Sequence, residues 1–347
     1  MDQPTTKAKL KELRSLVEED DRIAIVLQDD PDPDGIASAM ALRTLLGRNK
    51  ATTPIFSFGT VSRPENRTMV HLLEIEIAHA TEQILSEFSR IAMVDVQPPY
   101  FQGRLPRADI VIDHHPGYTS GNAPFEDVRI RYGAAATILT EYLMVADASI
   151  SERLATALLY GIKSDALMMS RRVTDDDLQA FTFLYPLANY NLLRRIDRPE
   201  LPLGFARILS RAMKRLQIRD GLAVLHLGPV ERDDLIVQMA DFCLQFESTE
   251  WVAVSGKLNG NLVISVRNHG MGRSAGESVR RLFGDIGSAG GHRNMAKAVI
   301  PLPAWRKREG TTRDQAIEAR LRDLFASDLA GDEEPVESRV TETKAAS

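Results

Sequence analysis

Four acids fall within six residues, Asp29, Asp30, Asp32 and Asp34, in the turn QDDPDPDG between the apolar run IAIVL and the stretch GIASAMALRTLL. Asp32 and Asp34 stand two residues apart in a proline-stiffened turn, so both carboxylates can lean over one point while Gly35 lets the backbone close into a helix. That arrangement suits a hard divalent cation such as Mn²⁺ or Mg²⁺, and the start of the helix offers amides to a phosphate. Helix capping alone would explain a single Asp-x-Asp, but it leaves the surplus of acids unexplained. A second group is the single acid Asp95, which follows IAMV and precedes Gln97-Pro98-Pro99. Such a carboxylate can bridge the two ions of a two-metal hydrolase, or it can simply cap the next loop. The third group, Asp113-His114-His115-Pro116-Gly117, follows ADIVI. A carboxylate and two imidazoles in succession can divide labour, one ring ligating a metal while its neighbours orient it or contact phosphate. A fourth acid, Asp165, lies in GIKSDALMMS, where a helical pattern breaks.

Each of the first three groups ends an uninterrupted apolar run, which reads as a buried parallel strand with a polar site at its C-terminal end. The pattern predicts strands near 23–28, 53–58, 91–95, 108–112 and 126–130, with helices near 5–19, 35–46 and 64–74. Two more helical segments follow, GAAATILTEYLMVA and ERLATALLYGIKS, and then a mainly helical region over 174–217, broken near Pro199 and Pro202. Alternating strands and helices predict an α/β parallel-sheet domain over 1–189. A helical connector is expected at 190–220 and a second, smaller α/β domain at 221–327. In the latter, WVAVSGKLNGNLVISVR is two apolar segments joined by an Asn-Gly hairpin signal. Helices are expected near 231–244, 275–284 and 312–327. The loop GDIGSAGGHRNMAKA leads to a strand AVIPL. Residues 328–347 carry six acids and two bases and predict a disordered acidic tail.

That tail holds four of the five net negative charges of the 347-residue chain, so the remainder is close to neutral and lacks the plainly basic face of a duplex-binding protein. No stretch reaches the roughly 18 apolar residues of a membrane span, and the polar opening MDQPTTKAKLKELRS contains no apolar signal region. The single cysteine, Cys243, allows no internal disulfide and no thiolate cluster, which fits a reducing cytoplasm and leaves oxygen and imidazole as metal ligands.

In order, DxDG, a strand-end Asp, DHHPG, GIxSD and the glycine-rich GSAGGHRNMAKA at 287–298 resemble the motifs of the DHH phosphoesterase superfamily, in the RecJ-like and bacterial oligoribonuclease branch with a DHH-associated C-terminal domain. The resemblance spans residues 23–300. It implies metal ligation by Asp32, Asp34, Asp95, His114 and Asp165, with Asp95 bridging two divalent cations, Mn²⁺ foremost and Mg²⁺ or Co²⁺ as substitutes. It names His115 and Asp113 as catalytic residues, His115 contacting the phosphate. It implies substrate contacts from Gly290, Gly291 and His292, with Arg267 and Arg293 as phosphate-binding arginines. The implied activity is hydrolysis of short oligonucleotides, or of linear or cyclic dinucleotides, to mononucleotides. The alternatives are a nucleotide-binding regulator with an incomplete metal site and a RecJ-like single-strand exonuclease. Two positions depart from the pattern. Gln28 stands where the first motif normally begins with a metal-binding histidine, with Asp29 or Asp30 as potential substitutes, and Ala289 stands where a glycine is common. No membrane partner is expected, and a homodimer is left open.

Overall fold

A computed structural model describes residues 3–117, 123–167, 173–200 and 203–330. The segment from 331 onward, most of the expected acidic tail, lies outside the described residues. The chain divides into two compact units, Met1–Glu200 and Leu201–Ser347.

The first unit runs α1 (Gln3–Leu16), β1 (Ile23–Leu27), α2 (Pro33–Leu45), β2 (Ile55–Ser57), α3 (Pro64–Leu72), β3 (Ile77–His79), α4 (Glu82–Ser86), β4 (Arg90–Val94), β5 (Ile110–Asp113), β6 (Phe125–Val128), α5 (Ala135–Val145), α6 (Glu152–Ile162), α7 (Asp175–Leu184) and α8 (Tyr190–Asp197). Its strands form one parallel sheet in the order β3-β2-β1-β4-β5-β6. Alternate side chains of β1 serve two cores, which is why the strand reads as an unbroken apolar run. Ile23, Ile25 and Leu27 enter the core with α2, α5 and α6, while Ala24 and Val26 join Phe56, Phe88 and Phe101 on the other face. The chain leaves β1 toward β2 and β3, then returns to place β4 on the opposite side of β1. Such a switch point leaves a crevice beyond the strand C-termini, the usual site of ligands in open α/β sheets.

Gly161 of α6 shows how closely the helices over this crevice pack. A β-carbon there would lie 3.2 Å from both Asp34 Cα and the Pro33 carbonyl and 3.3 Å from Ala136 Cβ, so any larger residue would push α6, α2 and α5 apart by a few tenths of an ångström. Beyond α6 the helix widens into a π-helical turn, Lys163–Leu167, which carries Asp165. Residues at such widened turns often serve a functional site.

The second unit runs α9 (Leu203–Met213), β7 (Ile218–Arg219), β8 (Leu222–Pro229), α10 (Asp234–Cys243), β9 (Trp251–Leu258), β10 (Asn261–Asn268), α11 (Ala275–Phe283), β11 (Ser288–Gly291), β12 (Met295–Pro301), α12 (Leu302–Glu309) and α13 (Asp314–Ala330). Its sheet has the order β11-β12-β10-β9-β8-β7 and is antiparallel except for the β8–β9 pair. Asn259 and Gly260, both with positive φ, make the hairpin turn between β9 and β10 that the Asn-Gly signal predicts. One face packs on Trp305, Phe283 and Phe325, the other on α9 and α10.

Several elements differ from the sequence expectation. β3 and α4 are absent from it because β3 has only three residues, none fully buried, and α4 a single turn with one buried side chain, Leu85. The glycine loop folds as the edge strand β11, and AVIPL is only the second half of β12, after which Leu302 opens α12. Of residues 190–220, Tyr190–Asp197 forms α8 in the first unit and Leu203–Met213 forms α9 in the second. Helix α13 continues through Ala330, three residues into the stretch expected to be tail. Asp328 anchors it, with its side chain only 3% exposed and paired with Arg273 and Arg281.

Candidate metal centre

The strand ends beside the switch point deliver the acids. Past β1, Asp32 caps α2 by accepting the Gly35 amide at 2.9 Å, and Asp34 lies in the first turn, fully buried. Asp34 does not cap its own helix. Its Oδ2 and Oδ1 accept the amides of Ala135 and Ala136, each at 2.7 Å, and so cap α5, whose own N-cap residue Ala134 has no side chain to do so. Past β4, Asp95 takes a left-handed backbone with φ of 60°. A non-glycine residue rarely adopts that conformation, and it turns the carboxylate inward. At the end of β5, Asp113 and the next residue, His114, are both buried.

His114 is oriented from behind. Its Nδ1 sits 3.1 Å from the Tyr132 carbonyl, an acceptor, so Nδ1 carries a proton and Nε2 is left to face the acids. Nε2 lies 3.2 Å from Asp95 Oδ1, 3.5 Å from Asp165 Oδ2 and 3.7 Å from Asp34 Oδ2. One imidazole nitrogen thus converges with three carboxylates. Neither oxygen of the buried Asp95 has a hydrogen-bond partner. Burial first, then the charges of Asp32, Asp34, Asp165 and Asp113, push the Asp95 carboxyl well above its ordinary range. Asp34 is raised well above it too, by burial and then by Asp165 and Asp32, with the Ala135 and Ala136 amides opposing. Isolated buried anions of one sign are costly, and a cation at their centre removes the cost.

The donor set fits such an ion. Ligand atoms of Asp95, Asp113, His114 and His115 lie within 4.8 Å of one another, as do those of Asp34, His114 and Asp165. Asp32 lies nearby across Gly35, where an added β-carbon would be 3.5 Å from both Asp32 Oδ1 and Asp95 Oδ2. Oxygen ligands with one or two imidazoles suit Mn²⁺ or Mg²⁺ better than soft metals.

His115 differs from its neighbour. Its side chain is 39% exposed, and its Nδ1 lies 2.8 Å from Asp113 Oδ1. Burial works to raise Asp113, but the His115 ring and the Gln97 amide outweigh it and hold the carboxyl below its usual range. Asp113 therefore stays ionised, an acceptor facing His115 Nδ1. The Gln97 amide also donates to the His115 carbonyl at 2.9 Å. Sequence reasoning assigned no role to Gln97, since a glutamine in a Gln-Pro-Pro loop has no motif value. Beside His115 opens a cavity of about 280 Å³, lined by Gln28, Asp95, Gln97, Tyr100 and Asp113 among others.

Gln28 thus lines the cavity, and its backbone carbonyl accepts from Ser57 Oγ at 2.7 Å. The two acids expected to substitute for the missing histidine are occupied elsewhere. Arg104 holds Asp29 through two bonds of 3.1 and 3.0 Å, and Asp30 binds the Ser62 amide and hydroxyl at 2.8 and 2.6 Å.

Within the second unit the expected substrate residues have uneven freedom. Arg267 pairs with Asp241 at 2.5 Å and is also bonded to Ser265 and Val266. Arg293 ties down the carbonyls of Gly270 and Gly272. Both guanidiniums are therefore already engaged in holding their own unit. His292 is exposed, and its backbone pairs with Met295 and Gly276. Gly291 is demanded by packing, since a β-carbon there would sit 2.4 Å from the Met295 carbonyl, whereas Gly290 has only Arg280 Nη2 nearby, at 3.8 Å. Open space at Gly290 suits the approach of a ligand to the backbone.

Residues 22–162 match the family model described as DHH family, N-terminal domain, which includes every acid and histidine of the cluster except Asp165. An uncharacterized protein of Methanocaldococcus jannaschii is 35% identical over 282 residues, which cover 81% of this chain and 58% of that protein. The chain thus spans less than two thirds of the length of the curated relative it matches. In fold, an exopolyphosphatase-related protein from Bacteroides fragilis superposes with a TM-score of 0.68 at 13% identity, over 93% of this chain and 97% of that one.

Proposed function

Residues 22–162 match the DHH family's N-terminal domain, and on that premise we propose that the chain is a divalent-metal-dependent phosphodiesterase that hydrolyses short oligonucleotides, or linear or cyclic dinucleotides, to mononucleotides. One observation carries the reading: a buried Asp95 carboxylate with no hydrogen bond of its own, facing His114 Nε2 among further carboxylates. Asp32, Asp34, Asp95, His114 and Asp165 would hold the ions, Mn²⁺ in the first instance. Such ions, when bound, lower the pKa of water and stabilise charge on phosphoryl oxygens.

The remaining work falls to the chain itself. Asp113 holds the His115 ring through Nδ1, which leaves Nε2 to meet a phosphoryl oxygen as negative charge develops there. Gln97 braces this pair through both Asp113 and the His115 carbonyl. Tyr100, 42% exposed at the cavity edge, offers a ring face to a base. A cavity of about 280 Å³ is near the small end of ligand pockets, which supports a substrate of one or two nucleotides rather than a duplex. His292 and Gly290 are the second unit's best-suited contacts for a terminal phosphate, because Arg267 and Arg293 are engaged within that unit.

Gln28 favours a second reading, a nucleotide-binding regulator that has lost one ion position. A substrate panel separates the two. Full-length protein is incubated with Mn²⁺, Mg²⁺ or Co²⁺ and dinucleotides, RNAs of a few residues, cyclic dinucleotides or single-stranded DNA. Turnover that falls with chain length supports the first reading; tight binding without turnover under every ion supports the second. Processive degradation of long single strands would instead favour a RecJ-like exonuclease.

A further inference from the structure

The segment 129–136, from the end of β6 into the first turn of α5, touches two members of the acid–histidine cluster at once. The Tyr132 carbonyl faces His114 Nδ1 at 3.1 Å, and the Ala135 and Ala136 amides each reach Asp34 at 2.7 Å. Any shift of this segment moves an imidazole and a carboxylate together. What holds it is a set of buried and half-buried polar groups with no place in the reaction described above. Glu141, fully buried, accepts from Thr6 Oγ1 at 2.6 Å, the Tyr132 hydroxyl at 2.7 Å and Arg129 Nη1 at 2.9 Å. Arg129 also grips Asp127 at 2.7 Å, and its amide donates to the Asp113 carbonyl at 2.8 Å. Asp177, equally buried, accepts the Gly133 amide at 3.0 Å and the Thr137 hydroxyl at 2.6 Å. Tyr132 is therefore anchored at its hydroxyl by Glu141 and Arg129, and it presents its carbonyl to His114 from its other end.

We infer that Arg129, Tyr132, Glu141 and Asp177 are positioning residues, which fix the segment whose carbonyl aims His114 Nε2 and whose amides aim Asp34 at a shared cation. The inference rests on the reading that the cluster holds a divalent ion. Buried ionic networks need not stabilise a fold more than apolar packing would, so a specificity role is the more economical account of two fully buried acids, Glu141 and Asp177, and the half-buried Arg129 and Tyr132 gathered against one loop. Outer partners of metal ligands act in this way by fixing tautomer and direction.

The test reads metal affinity in folded, metal-free, full-length protein, with MnCl₂ as the probe in titration calorimetry and thermal melting in chelator as the record of folding. The variants are Tyr132→Phe, Glu141→Gln and Asp177→Asn. Leu85→Ala, buried in the core on the other face of the sheet, serves as a purely structural comparison. Tyr132→Phe and Glu141→Gln should weaken Mn²⁺ binding about ten- to a hundredfold while the protein stays folded, the loss usual for outer-shell substitutions. Leu85→Ala should lower the melting temperature and leave the affinity unchanged. Affinities of Tyr132→Phe and Glu141→Gln equal to wild type would overturn the inference and leave the metal reading standing. If Glu141→Gln does not fold, the milder Tyr132→Phe decides alone. A wild-type protein that binds no Mn²⁺ would overturn both.

Discussion

Replacing Asp95 with asparagine should make the metal-free protein more stable while removing its response to metal. His114 Nε2 lies 3.2, 3.5 and 3.7 Å from the carboxylates of Asp95, Asp165 and Asp34. The three carboxylates are therefore within about 7 Å of one another, where each like-charge pair costs about 2 kcal/mol at an effective dielectric constant of about 20. Asp95 is already pushed well above its ordinary range, first by burial and then by its neighbours, so a bound proton relieves part of that cost. The net gain expected from Asp95→Asn in chelator is about 1–2 kcal/mol, or about 2–4 °C in melting temperature for each kcal/mol in a unit of this size. The sign of its pH dependence follows from linkage. A carboxyl raised in the folded state favours folding below its unfolded pKa and loses that contribution as pH climbs through the folded value, so the gain should be larger at pH 8 than at pH 5. With Mn²⁺ at a hundred times its dissociation constant, wild type should gain about 2.7 kcal/mol, and the variant close to none. Differential scanning calorimetry in chelator and in MnCl₂, at both pH values, checks all of this. A variant less stable than wild type in chelator, or one with the full metal response, would refute the electrostatic reasoning.

Other consequences can be read separately. His226, buried between Ser255 and Asp314, has its pKa depressed by burial to about 4, so the stability it confers is complete above its unfolded pKa and is lost as pH falls from about 6.5 toward 4. That loss should approach about 3 kcal/mol in urea melts, and His226→Gln should flatten the curve across this window. Gly291→Ala should destabilise the second unit by about 1–3 kcal/mol through overpacking, whereas Gly290→Ala should stay within about 0.5 kcal/mol, as thermal melts of the two variants would record. Gln28→His supplies an imidazole to the cavity wall and should tighten Mn²⁺ binding about tenfold by calorimetry, with Asp29 and Asp30 unable to mask the effect because Arg104 and Ser62 occupy them.

The acids were legible in the sequence because parallel strands buried on both faces leave an uninterrupted apolar signature, and the polar residues that follow each run mark the crevice end of the sheet. Asp32, Asp34, Asp95, Asp113, His114 and His115 all follow that rule, and Asp165 follows the other one available, a helical pattern that breaks. What the sequence could not carry were bonds between distant residues. That Asp34 caps α5 through Ala135 and Ala136 has no local sign, since an alanine stretch looks the same whether its amides are capped or not. The engagement of Arg267 by Asp241, 26 residues away, is hidden for the same reason. Gln97 has no periodic or motif value, yet it touches both Asp113 and His115. Short elements such as β3 and α4 fall below the length at which periodicity separates strand, helix and loop.

The central claim, that this cluster serves phosphodiester hydrolysis, is tested most directly by the release of mononucleotide from a linear dinucleotide, followed by chromatography, with full-length wild type and Asp95→Asn in Mn²⁺ and in chelator. The account predicts release by wild type in Mn²⁺ alone and none by Asp95→Asn in either condition. Equal release by both proteins, release in chelator, or none from wild type with Mn²⁺, Mg²⁺ or Co²⁺ would contradict it.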